Sequence, residues 1–225
     1  MHNMLKKIGV ITSLSGLLIL SGCTEKVSPI DNMYTSLEGV VSSEKGYNEQ
    51  QDSLRDLEKR EHELYEQIIG LSMNEFDEIV SLSQEALSLV EERESKIELE
   101  RQSMIESEEK FNEVQDIVAT IEDEELKKEA EALIETMNSR YEAHKELYDA
   151  YVKGIQLDKD LYTLLQDENL TLEQLQSKIT EINEAYEIVL ASNESFNKIT
   201  EEYNNAKKEF YESAGMEVTV TADQS

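Results

Sequence analysis

The sequence predicts an all-α protein, an elongated antiparallel bundle of three to four long helices with coiled-coil-like packing. Apolar residues recur at steps of three and four through three long segments, which is the period of a helix that buries one stripe. Short polar stretches separate these segments, and short connections favour antiparallel neighbours. No strand-like alternation occurs before the last few residues. We therefore expect a rod of long helices.

The first residues have the pattern of an export signal. Lys6 and Lys7 precede an apolar run from Ile8 to Leu20, as in the charged and apolar regions of a signal peptide. This run is shorter than the roughly 20 apolar residues that cross a bilayer. Residues 1–22 are therefore predicted to be a cleaved signal peptide.

The residues at the end of this run, Leu20, Ser21, Gly22 and Cys23, resemble the lipobox of bacterial lipoproteins. The resemblance implies a diacylglycerol thioether on Cys23 and cleavage before it, so that lipid (palmitate in the simplest case) anchors the chain at the extracellular face of the cell membrane. An ordinary signal peptide with an incidental Cys23 is the alternative. It is disfavoured because Cys23 is the only cysteine, and a lone exported cysteine risks random intermolecular pairing.

The mature chain is predicted to have three parts. Residues 23–30 form a lipidated N-terminus and short tether that contains the only proline, Pro29. Residues 31–214 form the helical bundle domain. Residues 215–225 have brief strand character without a partner strand and are predicted to be a disordered tail.

The first helical segment, about 30–70, is the least regular, and Gly39 and Gly46 are expected to loosen or break it. The second segment, 74–119, has an apolar stripe that charged residues interrupt. We place these interruptions at Glu94, Arg101 and Glu108.

The third segment, 122–167, places His144 on its apolar stripe, where a core or boundary histidine is favoured over a ligand. The last segment has its stripe from Leu172 to Phe210. Thr171 and Gln174 form a capping-box pattern at its start.

The composition is strongly acidic, with 50 Asp and Glu against 21 Lys and Arg and a formal charge of −29. Residues 1–22 contain two lysines and no acid, so the mature chain has a formal charge of −31. Such a chain repels nucleic acid and anionic headgroups, and nucleic-acid binding is excluded.

The sequence contains none of the motifs H-E-x-x-H and G-x-S-x-G, no phosphate-binding Gly-rich loop and no cysteine pair. We therefore predict a non-enzyme without catalytic residues, metal, cofactor or small-molecule substrate. His62 lies in a charged run and is expected to be solvated. The acidic turn at 121–125 is favoured as an ordinary solvated turn over a calcium site.

Tyrosines suggest one candidate binding surface, because their rings stack on sugars and anchor partner proteins. Its proposed members are Tyr141, Tyr148, Tyr151 and Tyr211. Filling of an irregular bundle core is the favoured alternative for these residues.

Four stretches of the chain, at 20–23, 83–94, 147–162 and 207–215, resemble the YkyA-like family of Gram-positive lipoproteins, whose proposed role is cell-wall binding. They read L-S-G-C, S-x-E-A-L-x-L-V-x-E-R-E, L-Y-D-x-Y-V-K-x-I-x-L-D-K-x-L-Y and K-K-E-F-Y-E-x-A-G. The resemblance implies an extracytoplasmic helical lipoprotein of the envelope and supplies no active site.

Charge restricts how such a chain binds a wall. Gram-positive walls carry anionic polymers, so association requires bridging divalent cations, D-alanyl ammonium groups, a neutral glycan or a protein partner. The alternative function is a helical scaffold or spacer that binds another envelope protein or itself.

Overall fold

A computed structural model describes residues 28–216 of the chain. These residues form five α-helices and, before the third, a short 3-10 turn at Met73–Glu75. The helices are α1 Pro29–Ser43, α2 Lys45–Gly70, α3 Phe76–Val118, α4 Glu124–Leu164 and α5 Leu172–Ser213. Residues 28–216 contain no strand, and the predicted all-α bundle is confirmed. Its antiparallel order, elongated shape and coiled-coil-like packing stay predictions.

The described chain divides into two compact units. The first unit contains Tyr47–Arg101 and Lys145–Glu194, which supply α2, the first part of α3, the last part of α4 and the first part of α5. The second unit contains 28–46, Gln102–His144 and 195–216. Each unit therefore takes segments from four helices.

Side-chain and backbone caps determine where helices begin and end. Ser28 is the N-cap of α1 and forms a capping box with Asp31. The helix therefore begins at Pro29, inside the predicted tether. The predicted box at α5 is confirmed, since Thr171 N donates to Gln174 Oε1 at 2.9 Å and Gln174 N donates to Thr171 Oγ1 at 3.3 Å.

The end of α5 is a Schellman motif around Gly215, whose φ is 75°. The Met216 amide donates to the Tyr211 carbonyl at 2.9 Å, and the Gly215 amide donates to the Glu212 carbonyl at 3.0 Å. Residues 217–225 of the predicted tail, like residues 1–27 with the lipobox, lie outside the described residues.

The first segment is broken at Glu44 and not at a glycine. The Ser103 hydroxyl donates to the Ser43 carbonyl at 2.7 Å and so satisfies an acceptor at the end of α1. A Cβ on Gly46 would lie 3.1 Å from Ser103 Oγ, whereas a Cβ on Gly39 would meet nothing within 4 Å. Gly46 therefore permits a close helix contact, and the prediction that Gly39 breaks the segment is wrong.

The polar interruptions of α3 lie one residue earlier than predicted. Glu94 and Glu108 are exposed and Arg101 is half-buried, so the predicted positions are wrong. The buried polar residues of this helix are Ser83, Arg93, Glu100, Ser103 and Ser107. The buried apolar residues of α3 recur at steps of three and four, and these polar residues fall on the same buried face of the helix.

Two further expectations are corrected. Leu172 is 69% exposed because it is the first residue of α5, so it does not belong to the buried stripe. His62 is half-buried, and its neighbour Glu61 is buried. The expectation for His144 is confirmed, because it is 1% exposed and packs edge-on against Phe196 at 5.4 Å between ring centroids.

Candidate functional site

A cavity of about 70 Å³ lies in the first unit, between segments of α2, α3, α4 and α5. We call it the tyrosine pocket. Its polar lining residues are Tyr47, Gln51, Glu58, Glu100, Tyr148, Tyr151 and Asn193. Its apolar lining residues are Leu54, Ile97, Leu147, Val189 and Leu190. Apolar walls with a few converging polar groups are typical of ligand sites.

Two carboxyl groups line the tyrosine pocket. Glu58 accepts a hydrogen bond from the Tyr151 hydroxyl, and Glu100 accepts one from Gln51 Nε2 at 3.1 Å. Glu100 is only 5% exposed. Burial raises the pKa of Glu100 to about 8, with the Gln51 hydrogen bond opposing and the Glu58 charge adding to the shift. None of the twelve lining residues is a lysine, arginine or histidine.

Tyr148 is the half-buried tyrosine of the pocket, and it lies at the surface side of the cluster. Its hydroxyl donates to Glu98 at 2.8 Å, and the guanidinium carbon of Arg101 lies 5.7 Å from the centre of its ring. Tyr47 and Tyr151 are 4% and 9% exposed. Their burial fixes the walls of the pocket, whereas Tyr148 keeps contact with solvent.

Behind Tyr151 lies a buried ionic network. The guanidinium carbon of Arg93 is 5.3 Å from the centre of the Tyr151 ring. Arg93 Nη1 binds Glu61 and also Asp158, the latter at 3.2 Å, and Arg93 Nη2 donates to the Tyr186 hydroxyl at 2.7 Å. The Tyr186 hydroxyl in turn donates to Asp158. These four residues come from α2, α3, α4 and α5, so the network ties all four segments together behind the pocket.

This network contains two carboxyl groups and one guanidinium. Burial raises the pKa of Asp158, and the charge of Arg93 opposes this shift while that of Glu61 adds to it. The network of the first unit therefore contains more buried carboxyl groups than buried cations.

The second unit has a different polar core, centred on Arg140. Its Nη1 and Nη2 donate to the two carboxylate oxygens of Glu44 at 2.6 and 2.8 Å, and its Nε donates to Thr200 Oγ1 at 3.0 Å. The Ser107 hydroxyl also donates to Glu44, at 2.9 Å. The guanidinium carbon lies 5.1 Å from the centre of the Phe196 ring. Glu44 is held where the chain breaks between α1 and α2, which gives that break its tertiary cause.

The comparisons with known proteins agree with the sequence resemblance. Residues 28–213 match the model of the YkyA family, described as "Putative cell-wall binding lipoprotein". The chain is 37% identical over 212 residues to the uncharacterized lipoprotein YkyA of Bacillus subtilis (strain 168), and the alignment covers 94% of each chain. The chain belongs to the YkyA family.

A solved structure shares the fold of this YkyA-family chain. It is the crystal structure of a conserved protein of unknown function from Staphylococcus aureus, with a TM-score of 0.62 at 15% sequence identity. The match covers 83% of this chain and 97% of that chain. At this identity the likeness shows a common fold alone.

The predicted tyrosine surface is divided between the two units. Tyr141 and Tyr211 belong to the second unit and are 4% and 3% exposed, with hydroxyl contacts to Ser107 and Glu38. Because the rings of Tyr141 and Tyr211 are buried, core filling accounts for these two. Tyr148 and Tyr151 line the tyrosine pocket of the first unit.

The structure also shows where the other candidate from the sequence, the acidic turn, lies. In the acidic turn at 121–125, Asp123 Oδ1 accepts from the amides of Glu125 and Leu126 at 2.9 and 3.0 Å, so it caps α4. Residues 28–216 contain no group of three or more His, Cys, Asp or Glu that could hold a metal ion. In the same residues no helix is both long and apolar enough to span a bilayer.

Sequence reasoning missed the acids of this pocket, although one signal was available. Glu100 lies seven residues after Arg93 and seven before Ser107, so these polar residues repeat at one position of the heptad. A charged residue at a position that the period assigns to the core is costly to bury and often functional. No comparable signal marks Gln51 or Asn193.

Proposed function

We propose that this YkyA-family protein is a non-catalytic, lipid-anchored binding protein at the extracellular face of the cell membrane, and that it contacts a cell-wall polymer through the tyrosine pocket. The family description and the lipobox ending in Cys23 support the anchored location. The observation that carries the binding role is the pocket itself, where tyrosine rings, carboxyl groups and amides converge on one small cavity.

The size of the cavity favours binding of a pendant group over cleavage of a polymer. Sites that enclose a whole ligand measure roughly 300–1,000 Å³, whereas this cavity is about 70 Å³. A glycosidase must hold a sugar ring between two carboxyl groups. The tyrosine pocket accepts only a small group that projects from a polymer.

Charge also limits the mode of binding. A chain with a mature formal charge of −31 is repelled by anionic wall polymers, so the contact requires a neutral or positively charged part of the wall, or bridging cations. The pocket provides such a local contact without a basic surface.

The test is co-sedimentation of residues 24–225, which contain all five helices, with purified sacculi. We expect retention by the sacculi, and comparison of sacculi with and without teichoic acid, and with and without calcium or magnesium, identifies what is bound. Tyr148→Ala should reduce retention. Tyr65→Ala is the matched control, because Tyr65 is a half-buried tyrosine of the same unit outside the pocket lining. No retention under any condition would reject wall binding.

A second candidate function is a helical scaffold or spacer that binds another envelope protein or itself. The observation in its favour is that the exposed large apolar side chains found in residues 28–216 all belong to the first unit. They are Ile69, Met73, Leu99, Leu172 and Ile188. Sedimentation velocity across a range of protein concentrations tests self-association, and Leu172→Ser should weaken any oligomer that uses this set.

A further inference from the structure

We infer that the tyrosine pocket binds the acetamido group of an N-acetylated sugar in the wall polymer. This inference rests on the proposed function and deepens it, because it names the pendant group that the pocket takes. Three features of the cavity support it: the cost of placing a charge there, the chemistry of the lining and the small volume.

The cavity favours an uncharged ligand. Burial raises the pKa of Glu100 to about 8, so this lining carboxyl group keeps its proton at neutral pH. The same desolvation disfavours an anion, which would find no lysine, arginine or histidine among the twelve lining residues. A cation would have only Glu58 as its counter-charge in the lining, and the Tyr151 hydroxyl already donates to that group. A small neutral group therefore fits this cavity best.

The walls of the cavity suit a methyl group. Five aliphatic side chains, from all four helices of the first unit, contribute to them. A methyl group that enters among these side chains leaves water, which is favourable. The five residues are Leu54, Ile97, Leu147, Val189 and Leu190.

The polar groups of the lining complement an amide. Gln51 Nε2 donates to Glu100 at 3.1 Å, and because a carboxamide nitrogen carries two hydrogens, this bond uses one of them. The other hydrogen suits the carbonyl oxygen of an acetamido group. The Tyr148 hydroxyl gives its hydrogen to Glu98 at 2.8 Å, so its oxygen is an acceptor for the N–H of the ligand. Methyl, carbonyl and N–H of an acetamido group thus each have a counterpart in the lining.

The volume of the cavity limits how much of a sugar enters. A water molecule needs about 10–15 Å³ of such volume, and an apolar cavity of about 150 Å³ holds benzene. A cavity of about 70 Å³ therefore suits a group of a few heavy atoms but not a six-membered ring. The sugar ring would stay outside, against the half-buried ring of Tyr148.

The first experiment measures binding of the methyl glycoside of N-acetylglucosamine to residues 24–225 by saturation-transfer NMR and titration. Methyl glucoside has a hydroxyl in place of the acetamido group and methyl glucosaminide has an ammonium, so these two sugars are the control ligands. We expect the N-acetylated sugar to bind with a dissociation constant on the order of millimolar, because so small a ligand has little surface. Saturation should be strongest at its acetyl methyl group.

The control ligands decide what the pocket recognises. Both should bind about tenfold more weakly than the N-acetylated sugar or not at all. Equal binding of methyl glucoside would place the contact on the sugar ring, and tighter binding of methyl glucosaminide would show that the pocket takes a cation. Either result, or no binding of the N-acetylated sugar, would overturn the inference.

A longer acyl group tests the size limit. The N-propionyl analogue has one more methylene and should bind the parent about tenfold more weakly. Val189→Ala enlarges the cavity and should remove this preference for the acetyl group. Val90→Ala is the matched control, because Val90 is a buried valine of the same unit outside the pocket lining. If Val189→Ala folds like the parent by circular dichroism and keeps the preference, the acyl group binds elsewhere and the inference is rejected.

A second variant fills the cavity. Leu190 is half-buried in the lining, and Leu190→Phe should weaken the N-acetylated sugar about tenfold or more by occupying its space. Leu175→Phe is the matched control, because Leu175 is a half-buried leucine of the same helix and unit outside the pocket lining. Equal affinities of the two phenylalanine variants would reject the assignment to this pocket.

The last experiment uses sacculi and separates the inference from the proposed function. An excess of methyl N-acetylglucosaminide should release the protein from sacculi, whereas methyl glucoside should not. Retention that the N-acetylated sugar does not reduce leaves wall binding intact and rejects the acetamido inference. Binding of the sugar without retention by any sacculi supports the pocket chemistry and rejects wall binding as its use.

Two sources in a wall present an acetamido group, namely the glycan strands and N-acetylated sugars attached to teichoic acid. Removal of teichoic acid from the sacculi distinguishes them. Sugar-sensitive retention that persists after this treatment assigns the group to the glycan strands, and its loss assigns the group to teichoic acid.

Discussion

The two units differ in how they balance buried charge. In the first unit one guanidinium, that of Arg93, is buried with the carboxyl groups of Glu61 and Asp158, and a third buried acid, Glu100, lines the pocket nearby. The acids therefore outnumber the cation, and burial raises the pKa values of Asp158 and Glu100. Proton binding is thus part of how this unit is stabilised.

In the second unit each buried cation has its own carboxylate. Arg140 binds Glu44 through two hydrogen bonds, and Lys207 Nζ lies 2.8 Å from Glu38 Oε1. These acids are half-buried, with 12% and 21% of the side chain exposed, so they keep some contact with water. Such pairs hold the helices in place without an excess of charge.

The comparison supports the proposal that the first unit contains the binding site. Unbalanced buried acids cost stability, and proteins retain them mainly where a ligand or a proton uses them. The unit with the excess of acid is also the one that contains the tyrosine pocket. The predictions below test this difference, in order of decreasing effect.

The largest effect is expected for Arg93→Met. Loss of the guanidinium leaves Glu61 and Asp158 buried without a cation, which should lower the free energy of unfolding by about 3–5 kcal/mol at neutral pH. Arg140→Met should cost less, about 1–3 kcal/mol, because Glu44 reaches water. Urea unfolding followed by circular dichroism measures both, and equal losses would show that charge balance does not distinguish the units.

A compensated variant separates the charge effect from lost packing. Arg93→Met combined with Glu61→Gln and Asp158→Asn removes the two acids as well, so it should recover part of the loss. If the triple variant is no more stable than Arg93→Met alone, the loss is due to packing.

The next effect is on pH dependence. Glu100 has a pKa of about 8 in the folded chain against an ordinary value of 4.5, so the folded state keeps a proton that the unfolded state releases. Stability is then highest below pH 4.5, falls on the order of 1 kcal/mol per pH unit up to pH 8 and is flat above it. Glu100→Gln should remove most of this slope.

Unfolding free energies at pH 5, 7 and 9 check this expectation. The unfolding free energy of Glu100→Gln should equal that of the parent at pH 5 and exceed it at pH 9. A residual slope of the same sign is expected from Asp158, whose pKa is also raised by burial. If the unfolding free energies of parent and variant depend on pH in the same way, Glu100 does not hold the proton.

A smaller effect is expected at Gly154, which lies beside Tyr186 in the first unit. A Cβ there would lie 3.2 Å from Tyr186 Cζ, and hydrogen bonds to Arg93 and Asp158 hold that ring in place. Gly154→Ala should therefore destabilise by about 1–3 kcal/mol.

Gly39→Ala is the matched control for this substitution. Gly39 also lies within a helix, but a Cβ on it would meet nothing within 4 Å. Alanine should stabilise there by about 0.5–1 kcal/mol, because it reduces the entropy of the unfolded chain. Thermal unfolding of both variants tests the pair. A melting temperature that shifts in the same direction in both variants would contradict the role of Tyr186.

The smallest effect is expected at the helix caps. Thr171→Ala removes the side-chain acceptor for the Gln174 amide, and Ser28→Ala removes the one for the Asp31 amide. Each should cost about 1 kcal/mol, and the two costs should be similar because both caps lie at the surface. A much larger loss for either would mean that its cap supports more than its own helix.

The sequence predicted the helices well and the site poorly. Local patterns such as the Thr171 box and the apolar period define helices with little reference to the rest of the chain. The break at Glu44 was misplaced because it depends on Arg140 and Ser107, which are far away in sequence. The positions of the α3 interruptions were wrong by one residue, since two polar residues adjoin one another at each of these places and the more deeply buried one comes first.

The sequence by itself determined the helical class, the acidic charge, the caps and the lipobox pattern at Cys23, because these depend on period, composition and short motifs. Only the tertiary structure decided which tyrosines are buried, which acids share a guanidinium and where a cavity remains. These features arise when side chains from four helices meet, and their burial and pKa values follow from distances between residues that the linear order leaves undefined.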